Sequence, residues 1–376
     1  MVVYLDCNAT TPIDPEVRAI VLKYMFEEFG NAGSRTHLLG TTAKQAVQQA
    51  RESVAKLVAA KSEEVIFTSG ATESNNIAIL GLSEQGCVTH RKHIISTMIE
   101  HKAVLEPLSV LESRGFEVTL LKPSLGGWIS PEQVKSVLRD DTLLISIMHV
   151  NNETGVMQPI TDIASQLEGH EAFLHVDAAQ GYAKDIATLQ NKRIDMISVS
   201  GHKLYAPKGV GALVTRKRGY RHLPLKPLLF GGGQERSLRP GTLPVPLIVG
   251  LGVSSELALL KHKSRLAYCL DFKKKAISKL QSVGAILNGD QSRTLPTTLS
   301  LSFPNLDSEA VILALKNIIA VSNGSACTSQ NYKPSHVLTA MGLPEDRING
   351  TIRMSWCHLT DEPDWDEVVS AIKKLY

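Results

Sequence analysis

Short, almost uninterrupted apolar runs recur through the first 215 residues and are separated by longer segments with helical periodicity. The runs cover residues 65–68, 93–96, 117–120, 143–147, 173–176, 196–199 and 210–214. Apolar runs of this length are typical of strands that are buried on both faces. Helical patterns lie between them, for instance at 131–138 and 160–167. This alternation predicts an α/β fold with a mostly parallel sheet, whose ligand sites lie at the carboxyl ends of the strands.

The pattern changes after residue 223. Residues 223–246 contain several prolines and a run of three glycines at 231–233, which predicts an irregular connection. Residues 248–283 are typical of one or two long helices. Strand-like and helical segments then alternate again at 298–303, 308–315, 352–356 and 365–374. This second half predicts a smaller α+β domain.

Composition and charge narrow the possible functions. Of 376 residues, 43% are hydrophobic and 20% are charged, which is typical of a globular protein. The formal net charge of +3 predicts no strong direct binding of nucleic acid. The chain shows no apolar signal core at its start and no run of about 18 apolar residues, so we expect no membrane span. Five scattered cysteines without a CxxC pair disfavour a disulfide framework or a metal site, and a cytoplasmic protein is expected.

One hydroxyl-rich segment could bind a phosphate group. Residues 68–76, with the sequence TSGATESNN, follow a predicted strand and open a predicted helix. Free backbone N–H groups and the helix dipole favour an anion there, and Thr72 could add a side-chain donor. An ordinary helix start, capped by a threonine or a serine, fits the same residues. The residues alone leave both interpretations open.

Two predicted strand ends carry an acid and a lysine. Asp177 follows the run 173–176, and Lys203 follows the run 196–199 within the motif SGHK. Each could be an ordinary turn residue. Their separation of 26 residues, however, is about one strand–crossover–strand unit, which would place them on neighbouring strands facing one ligand. An acid for a pyridinium nitrogen, a lysine for an aldehyde and a phosphate site together favour pyridoxal phosphate (PLP).

Motifs spread over more than 300 residues resemble one enzyme family. They are YLD at 4–6, ATTP at 9–12, FTSGATESNN at 67–76, EHKAV at 100–104, MHVNNETG at 148–155, SGHK at 200–203, RPGT at 239–242 and GSACTS at 324–329. In this order they resemble the cysteine desulfurases, the NifS/IscS-like branch of the fold-type-I PLP enzymes, which are similar to class-V aminotransferases. The resemblance implies a large PLP-binding domain at 14–250 with a mostly parallel seven-stranded sheet. It also implies a small α+β domain formed by 1–13 and 251–376.

The resemblance implies a role for each residue around the cofactor ring. Lys203 matches the lysine that forms a Schiff base with PLP, Asp177 the acid that keeps the pyridine nitrogen protonated, and Gln180 the partner of the phenolic oxygen. His101 matches the histidine that stacks on the ring and is also proposed to act as an acid or base near the substrate sulfur.

Further matches concern the phosphate and the substrate. The implied phosphate-binding positions are Ala71, Thr72, Ser200, His202 and, from the neighbouring subunit, Thr242. The last of these implies a homodimer with composite sites. Asn152 and Arg353 match the groups that hold the substrate carboxylate, for which a guanidinium offers a bidentate fork.

Cys327 is the predicted nucleophile. It lies in a small, polar segment, and the resemblance places a catalytic loop at about 322–333 and the chain in the longer-loop group of the family. In the family mechanism the Cys327 thiolate attacks the sulfur of the bound L-cysteine, which leaves L-alanine and an enzyme persulfide. A mobile loop lets the thiol carry that sulfur to an acceptor protein. A thiol that only packs is the alternative, although the hydroxyl groups and glycine around Cys327 are unusual for a core position.

The other thiols carry weaker signals. Cys87, after an apparent turn glycine, and Cys269, within a predicted helix, are expected to be surface or packing residues. Cys7 precedes a segment that lies near the active site in relatives. Cys357 stands where relatives have a different sequence, so it is either a resolving cysteine or a space-filling residue.

Two further departures from the family pattern bear on partners and on loop shape. Relatives usually have a proline within 30–37, which leaves the shape of that loop open. The sequence stops at Tyr376, without the extension by which housekeeping relatives dock an iron–sulfur scaffold. We therefore expect a dedicated acceptor, such as a partner in DNA phosphorothioation, with iron–sulfur assembly and tRNA thiolation as other destinations.

The alternatives in function are a selenocysteine lyase, a fold-type-I aminotransferase and a non-enzymatic sulfur-partner module. Cys327 argues against the aminotransferase. The complete set of predicted site residues argues against the non-enzymatic module.

Overall fold

A mixed sheet forms the centre of the molecule. The computed structural model describes residues 2–323 and 334–376. The described strands are β1 Val3–Tyr4, β2 Val65–Thr68, β3 His93–Thr97, β4 Glu117–Leu121, β5 Thr142–Met148, β6 Phe173–Asp177, β7 Met196–Ser200, β8 Gly211–Thr215, β9 Ile286–Leu287, β10 Thr298–Ser302, β11 Ile319–Ala320 and β12 Thr351–Ser355. Seven of them pair in the order β2-β8-β7-β6-β5-β3-β4, and β8 runs in the direction opposite to the other six strands of this sheet. The predicted, mostly parallel α/β sheet is confirmed.

Helices cover both faces of this sheet. The described helices are α1 Pro15–Phe26, α2 Leu38–Leu57, α3 Ala71–Leu80, α4 Ser83–Thr89, α5 Lys102–Ser113, α6 Pro131–Val137, α7 Ile160–Gln166, α8 Ile186–Leu189, α9 Val245–Gln281, α10 Ser308–Leu315, α11 His336–Met341, α12 Glu345–Asn349 and α13 Trp365–Lys373. The neighbours Leu144 and Ile145 of β5 are both fully buried, but they belong to hydrophobic clusters on opposite faces. Burial on both faces explains why the strands appear as continuous apolar runs.

The predicted helical segment 248–283 forms a single helix, α9, which ends at Gln281 and packs along α1 and α2. The contact with α2 is close, because a Cβ atom on Gly252 would lie 2.5 Å from the Ala50 Cα. By length and composition alone α9 could cross a membrane, since one 18-residue window has a mean hydropathy of 1.3. Just over half of that window is buried inside the protein, as in the core helix of a globular fold. The absence of a membrane span stays a prediction.

A separate hydrophobic cluster surrounds a small antiparallel sheet with the order β12-β10-β9. Phe272 of α9 stacks on Trp356 at a centroid distance of 4.8 Å. Leu5 also joins this cluster, because β1 pairs with β11. The amino-terminal residues therefore pack with the carboxyl-terminal third of the chain. We propose on this basis the domain division at 14–250 and at 1–13 with 251–376, with the boundary inside α9.

Acid is expected to destabilise this fold through His175. The imidazole lies between Ser146 and Ser198 at N–O distances of 2.8 and 2.9 Å, and complete burial lowers its pKa to about 3. Below pH 6.5 the unfolded chain binds a proton that the folded chain does not bind until about pH 3. As the pH falls from 6.5 towards 3, this residue alone should therefore lower the free energy of unfolding by about 1.4 kcal/mol for each pH unit.

Denaturant titrations between pH 7 and pH 4 test this expectation. The His175→Gln protein should show a shallower loss of stability with acid than the unchanged protein. Equal slopes in the two proteins would contradict the assignment of the proton uptake to His175.

Candidate active site

The predicted site residues meet at the carboxyl ends of β6 and β7. Asp177 ends β6, Lys203 lies in the short 3₁₀ turn Gly201–Lys203 after β7, and the two strands pair with Asp177 opposite Ser198. Both side chains line one cavity of about 530 Å³. Its other lining residues include Ala71, Thr72, His101, Asn152, Gln180, Ser200, His202 and Arg353. The strand ends are neighbours, as their spacing predicts.

Two predicted residues are not among those that line the cavity. Thr242 is exposed in the connection that precedes α9. Cys327 lies outside the described residues, as does most of the predicted catalytic loop.

Asp177 is buried and held in a fixed orientation. One of its oxygens accepts a hydrogen bond from Asn75 Nδ2 at 2.8 Å, and the other accepts one from the Ala179 N–H at 2.9 Å. Asn75 projects from α3, so the candidate phosphate segment also orients the predicted acid Asp177. Sequence reasoning did not identify Asn75, although it lies within the motif at 68–76.

Lys203 is held by backbone carbonyls of the amino-terminal segment. Its Nζ donates hydrogen bonds to the carbonyls of Asn8 and Ala9, the latter at 2.7 Å. Gln180 Nε2 donates to the same Asn8 carbonyl at 2.9 Å. Asn8 thus positions two of the predicted cofactor residues. Its only sequence signal was its place next to Cys7, in a segment near the active site of relatives.

The start of α3 can accept an anion. Gly70 precedes the helix and no side chain of the described residues caps it, which favours the phosphate interpretation over the ordinary cap. Gly70 can lie directly beside β8 because Gly211 has no side chain; a Cβ atom there would lie 2.6 Å from Gly70 Cα.

His202 adds a neutral donor or acceptor to the lining of the cavity. Its Nδ1 lies 3.2 Å from Thr10 Oγ1. Burial, assisted by the charge of Lys203, lowers its pKa to about 4. The imidazole is therefore neutral at physiological pH, and one of its ring nitrogens carries a proton.

The orientation of His101 fixes its tautomer. The residue precedes α5, and its Nδ1 accepts the Ala103 N–H at 3.1 Å. Burial lowers the pKa of His101, an effect that Lys203 reinforces and Asp177 opposes. The neutral ring therefore carries its proton on Nε2, which is the nitrogen left available for a ligand.

Arg353 also lines the cavity and is held by two partners. It lies on β12, is almost fully buried, and donates from its two terminal nitrogens to the Asn152 carbonyl at 3.0 Å and to Asp6 Oδ1 at 2.6 Å. Among the described residues, its Nε has no hydrogen-bond partner. The guanidinium is thus rigidly placed beside Asn152, as the substrate assignment requires. Asp6 was not predicted, and a substrate carboxylate would share the guanidinium with it.

Two buried acids lie beside these residues and were missed in the sequence. Glu100 precedes His101, accepts hydrogen bonds from the Met148 N–H and the Thr97 hydroxyl, and has its pKa raised to about 8 by burial. Glu153 follows Asn152 and accepts the Ser335 hydroxyl, and burial raises its pKa as well. Ser335 precedes α11, so this contact joins the cavity wall to the helix that follows the predicted loop.

The connection that carries Thr242 is tied to the candidate phosphate segment. Arg239 contacts Glu73 of α3 at 2.8 Å. Earlier in the connection, the buried Glu235 forms a bidentate ion pair with Arg51 and accepts the Phe67 N–H at 2.7 Å. Residues 235–237 have φ between 47° and 63°, a left-handed conformation that non-glycine residues rarely adopt. These contacts hold an otherwise unfavourable backbone in place next to β2.

Comparison with known proteins places the chain in a family. A model of the family described as aminotransferase class-V matches residues 3–368. The cysteine desulfurase IscS of Rickettsia prowazekii (strain Madrid E) is 44% identical over 375 residues, which cover 98% of this chain and 90% of that protein.

Two solved structures agree with this assignment. The crystal structure of DndA from Streptomyces lividans has 51% identity and a TM-score of 0.83, and the match covers 93% of this chain and 98% of that one. The structure of SspA in complex with cysteine has 39% identity and a TM-score of 0.82, and the match covers 94% of this chain and 98% of SspA. The chain therefore belongs to the class-V aminotransferase family and, within it, to the PLP-dependent cysteine desulfurases.

Proposed function

We propose that this chain converts L-cysteine to L-alanine and passes the sulfur, as a persulfide on Cys327, to an acceptor protein. The observation that carries the proposal is the cavity in which Lys203, Asp177 and Arg353 meet. It combines a lysine for an aldehyde, an acid for a ring nitrogen and a guanidinium for a carboxylate. The similarity to SspA, which was solved with cysteine, supports the choice of substrate.

The residues present fit PLP. The cavity of about 530 Å³ is of the size that small-molecule sites usually have. Asp177 would hold the pyridine nitrogen, Gln180 the phenolic oxygen and His101 the ring face, while Thr72 and the uncapped start of α3 would hold the phosphate. When bound, PLP supplies an electron sink for the bonds at the Cα atom of the substrate.

The protein itself orients the substrate and moves protons. Arg353 and Asn152 bind the carboxylate, which directs the rest of the amino acid towards Lys203. Lys203 Nζ takes and returns the proton at the substrate Cα. His101 Nε2 holds the proton closest to the substrate sulfur.

Sulfur transfer requires Cys327. Its thiolate attacks the sulfur of the bound cysteine, the bond from that sulfur to Cβ breaks, and the electron pair of the broken bond stays with the carbon skeleton. Protonation of that carbon yields alanine, and the new S–S bond leaves a persulfide on Cys327. A nucleophilic thiolate on an accessible segment is the requirement for this step.

We also propose a cytoplasmic homodimer in which Thr242 reaches the phosphate of the neighbouring subunit. Thr242 is exposed, and the nearby Leu229 and Phe230 are 57% and 89% exposed. Large apolar side chains grouped on one connection favour a protein contact at this surface.

The acceptor is proposed to be a dedicated partner, for which DNA phosphorothioation is the first candidate. The identity to DndA, 51%, is higher than the 44% to the IscS of Rickettsia prowazekii. Transfer of labelled persulfide sulfur from the purified protein tests the idea. Efficient transfer to a general iron–sulfur scaffold, together with none to a specialised partner, would contradict it.

A substrate panel tests the activity. The purified protein should show the visible absorption of PLP bound to lysine, and should form alanine in equal amount to the sulfur released from L-cysteine. A selenocysteine lyase would act on L-selenocysteine and leave L-cysteine unchanged. An aminotransferase would instead convert a 2-oxo acid with an amino-acid donor and release no sulfur. Either of these results would overturn the proposal.

Replacement of Arg353 is expected to weaken substrate binding more than turnover. Loss of a charge-assisted bidentate contact costs about 2–3 kcal/mol, so Arg353→Ala should raise KM for L-cysteine on the order of 100-fold. Arg353→Lys keeps the charge but not the fork and should give an intermediate KM. Steady-state kinetics should give a KM for L-cysteine that rises from the unchanged protein to Arg353→Lys and then to Arg353→Ala. An unchanged KM in both variants would exclude Arg353 as the group that binds the substrate carboxylate.

A further inference from the structure

A pair of buried thiols lies directly behind the candidate active site. Cys7 and Cys357 are 2% and 1% exposed and pack against each other and Tyr205 in a small cluster of their own. They are the amino-terminal and carboxyl-terminal cysteines of the sequence, and folding brings them together. We refer to Cys7 and Cys357 as the thiol pair.

Several donors converge on the sulfur of Cys357. It accepts hydrogen bonds from the Leu359 N–H at 3.4 Å, the Thr360 hydroxyl at 3.6 Å and the Cys7 thiol. The half-buried ammonium of Lys184 adds a positive charge near both sulfurs. The Cys7 thiol is the main cause that lowers the pKa of Cys357, while the same contact raises that of Cys7. The surroundings thus favour a Cys357 thiolate beside a protonated Cys7 thiol.

This arrangement is not shared by the other described cysteines. Cys269 is also buried, but burial raises its pKa to about 12, which is expected of an inert thiol. Cys87 is exposed on α4. A stabilised thiolate in contact with a second thiol is the arrangement that reacts with oxidants and then closes to a disulfide.

The thiol pair joins two segments that build the active site. The Cys7 N–H donates to the Ser355 carbonyl at 3.0 Å, and the Asn8 N–H donates to Ser355 Oγ at 2.8 Å. The next group along the amino-terminal segment is the Asn8 carbonyl, which holds Lys203. On the other side, Cys357 follows the strand that carries Arg353. A covalent bond between the two sulfurs would therefore shift the supports of Lys203 and Arg353 together.

We propose that the thiol pair is a redox-active site at which hydrogen peroxide forms a Cys7–Cys357 disulfide, and that this disulfide weakens substrate binding. The Cys357 thiolate attacks one peroxide oxygen, the O–O bond breaks, and hydroxide leaves, so that Cys357 becomes a sulfenic acid. The Cys7 sulfur then attacks the Cys357 sulfur, the S–O bond breaks, and water leaves. The two thiols lose two electrons, and the peroxide gains them.

A small cavity lies next to Tyr205, which shares a hydrophobic cluster with the thiol pair. The cavity of about 30 Å³ is lined by Tyr205, Lys184 and Cys269, whereas Cys7 and Cys357 are not among its lining residues. It holds one or two water-sized molecules, so a peroxide would have to pass Tyr205 to reach the pair. Because both cysteines are almost fully buried, a bulky thiol oxidant such as glutathione disulfide is excluded.

The chemical part of the proposal is tested on the Cys327→Ser holoenzyme, so that the predicted catalytic thiol does not contribute. After treatment with hydrogen peroxide, denaturing alkylation and digestion, mass spectrometry should find a peptide pair joined through Cys7 and Cys357 that dithiothreitol separates. The additional change Cys269→Ser is the matched buried control and should leave this product unchanged. The additional change Cys7→Ser should abolish it. Oxidation of the exposed Cys87 without any Cys7–Cys357 product would overturn the proposal.

The second part, which rests on the proposed function, is tested by substrate binding. The same Cys327→Ser protein is titrated with L-cysteine, and the change in PLP absorption gives the dissociation constant for L-cysteine. The titration is done on the untreated protein, on the oxidised protein and on the oxidised protein after reduction. Oxidation should raise this constant on the order of tenfold, reversibly, and the Cys7→Ser variant should not respond. A disulfide with an unchanged constant would refute the link to the site. Absence of binding in the reduced protein would instead contradict the proposed function.

Discussion

Lys203→Ala should abolish the visible absorption of lysine-bound PLP and lower turnover of L-cysteine by about 10³-fold or more. The reason is that one side chain performs two tasks, since it attaches the cofactor and moves a proton at the substrate, and loss of a proton-transfer group alone costs about 10²–10⁴-fold. The structure supports this assignment, because Lys203 Nζ is held at the carboxyl end of β7, beside Asp177 at the end of β6.

A second lysine provides the control. Lys208 lines the same cavity but has no assigned role, so Lys208→Ala should keep the absorption band. Borohydride reduction followed by peptide mass spectrometry should then find the cofactor on Lys203 in both the unchanged and the Lys208→Ala protein. Addition of a small primary amine to Lys203→Ala should restore part of the band. A cofactor attached to any other lysine would refute the assignment.

Cys327→Ser should keep the absorption band and substrate binding but form alanine at least about 10²-fold more slowly, with no persulfide on the protein. A serine hydroxyl is not ionised at neutral pH and is a poor nucleophile towards sulfur, whereas a thiolate is a strong one. The two replacements therefore separate the two halves of the reaction: Lys203→Ala loses the cofactor chemistry, and Cys327→Ser loses only the removal of sulfur.

The exposed Cys87 is the matched control for this experiment. Cys87→Ser should form alanine and persulfide as the unchanged protein does, since Cys87 lies on α4, away from the cavity. Alanine assays with L-cysteine and mass spectrometry of the protein sulfur measure both products. If Cys327→Ser formed alanine at the original rate, another group would have to accept the sulfur.

The central sheet could be predicted well because its signal is local. Every predicted apolar run corresponds to a strand, and in six of the seven strands all residues are buried, which leaves no exposed position to interrupt the pattern. The exception is the edge strand β4, whose residues are partly exposed. The neighbouring ends of β6 and β7 followed from the length of one crossover unit. The reversed direction of β8 could not be predicted, since burial is the same for a parallel and an antiparallel strand.

Some helices were missed because their buried faces are weakly apolar or contain glycine. Half of the buried residues of α2 are alanines, including Ala43, Ala46 and Ala50, so the helix has helical periodicity but few large apolar side chains. The interpretation of Gly86 as a turn residue before Cys87 was wrong, because both lie within α4. Gly86 is required for packing, since a Cβ atom there would lie 2.6 Å from the Phe116 ring.

The site residues that were missed are those whose partners lie far along the chain. Asp6 and Asn8 act on Arg353 and Lys203, and no local pattern links such positions. Residues that could be predicted, such as Asp177, stand at strand ends, where the α/β fold itself determines the direction of the side chain. The resemblance to the family supplied roles for individual residues, but it did not indicate these supports.

The dependence of Lys203 on the Asn8 carbonyl has a consequence for biosynthesis. Asn8 leaves the ribosome long before the Ser355 hydroxyl that fixes its backbone, which lies 347 positions later. Contacts of such high sequence separation form late, after the local units have folded. The lysine that receives the cofactor therefore acquires its final support only after residue 355 has been translated, so cofactor loading follows the synthesis of both segments.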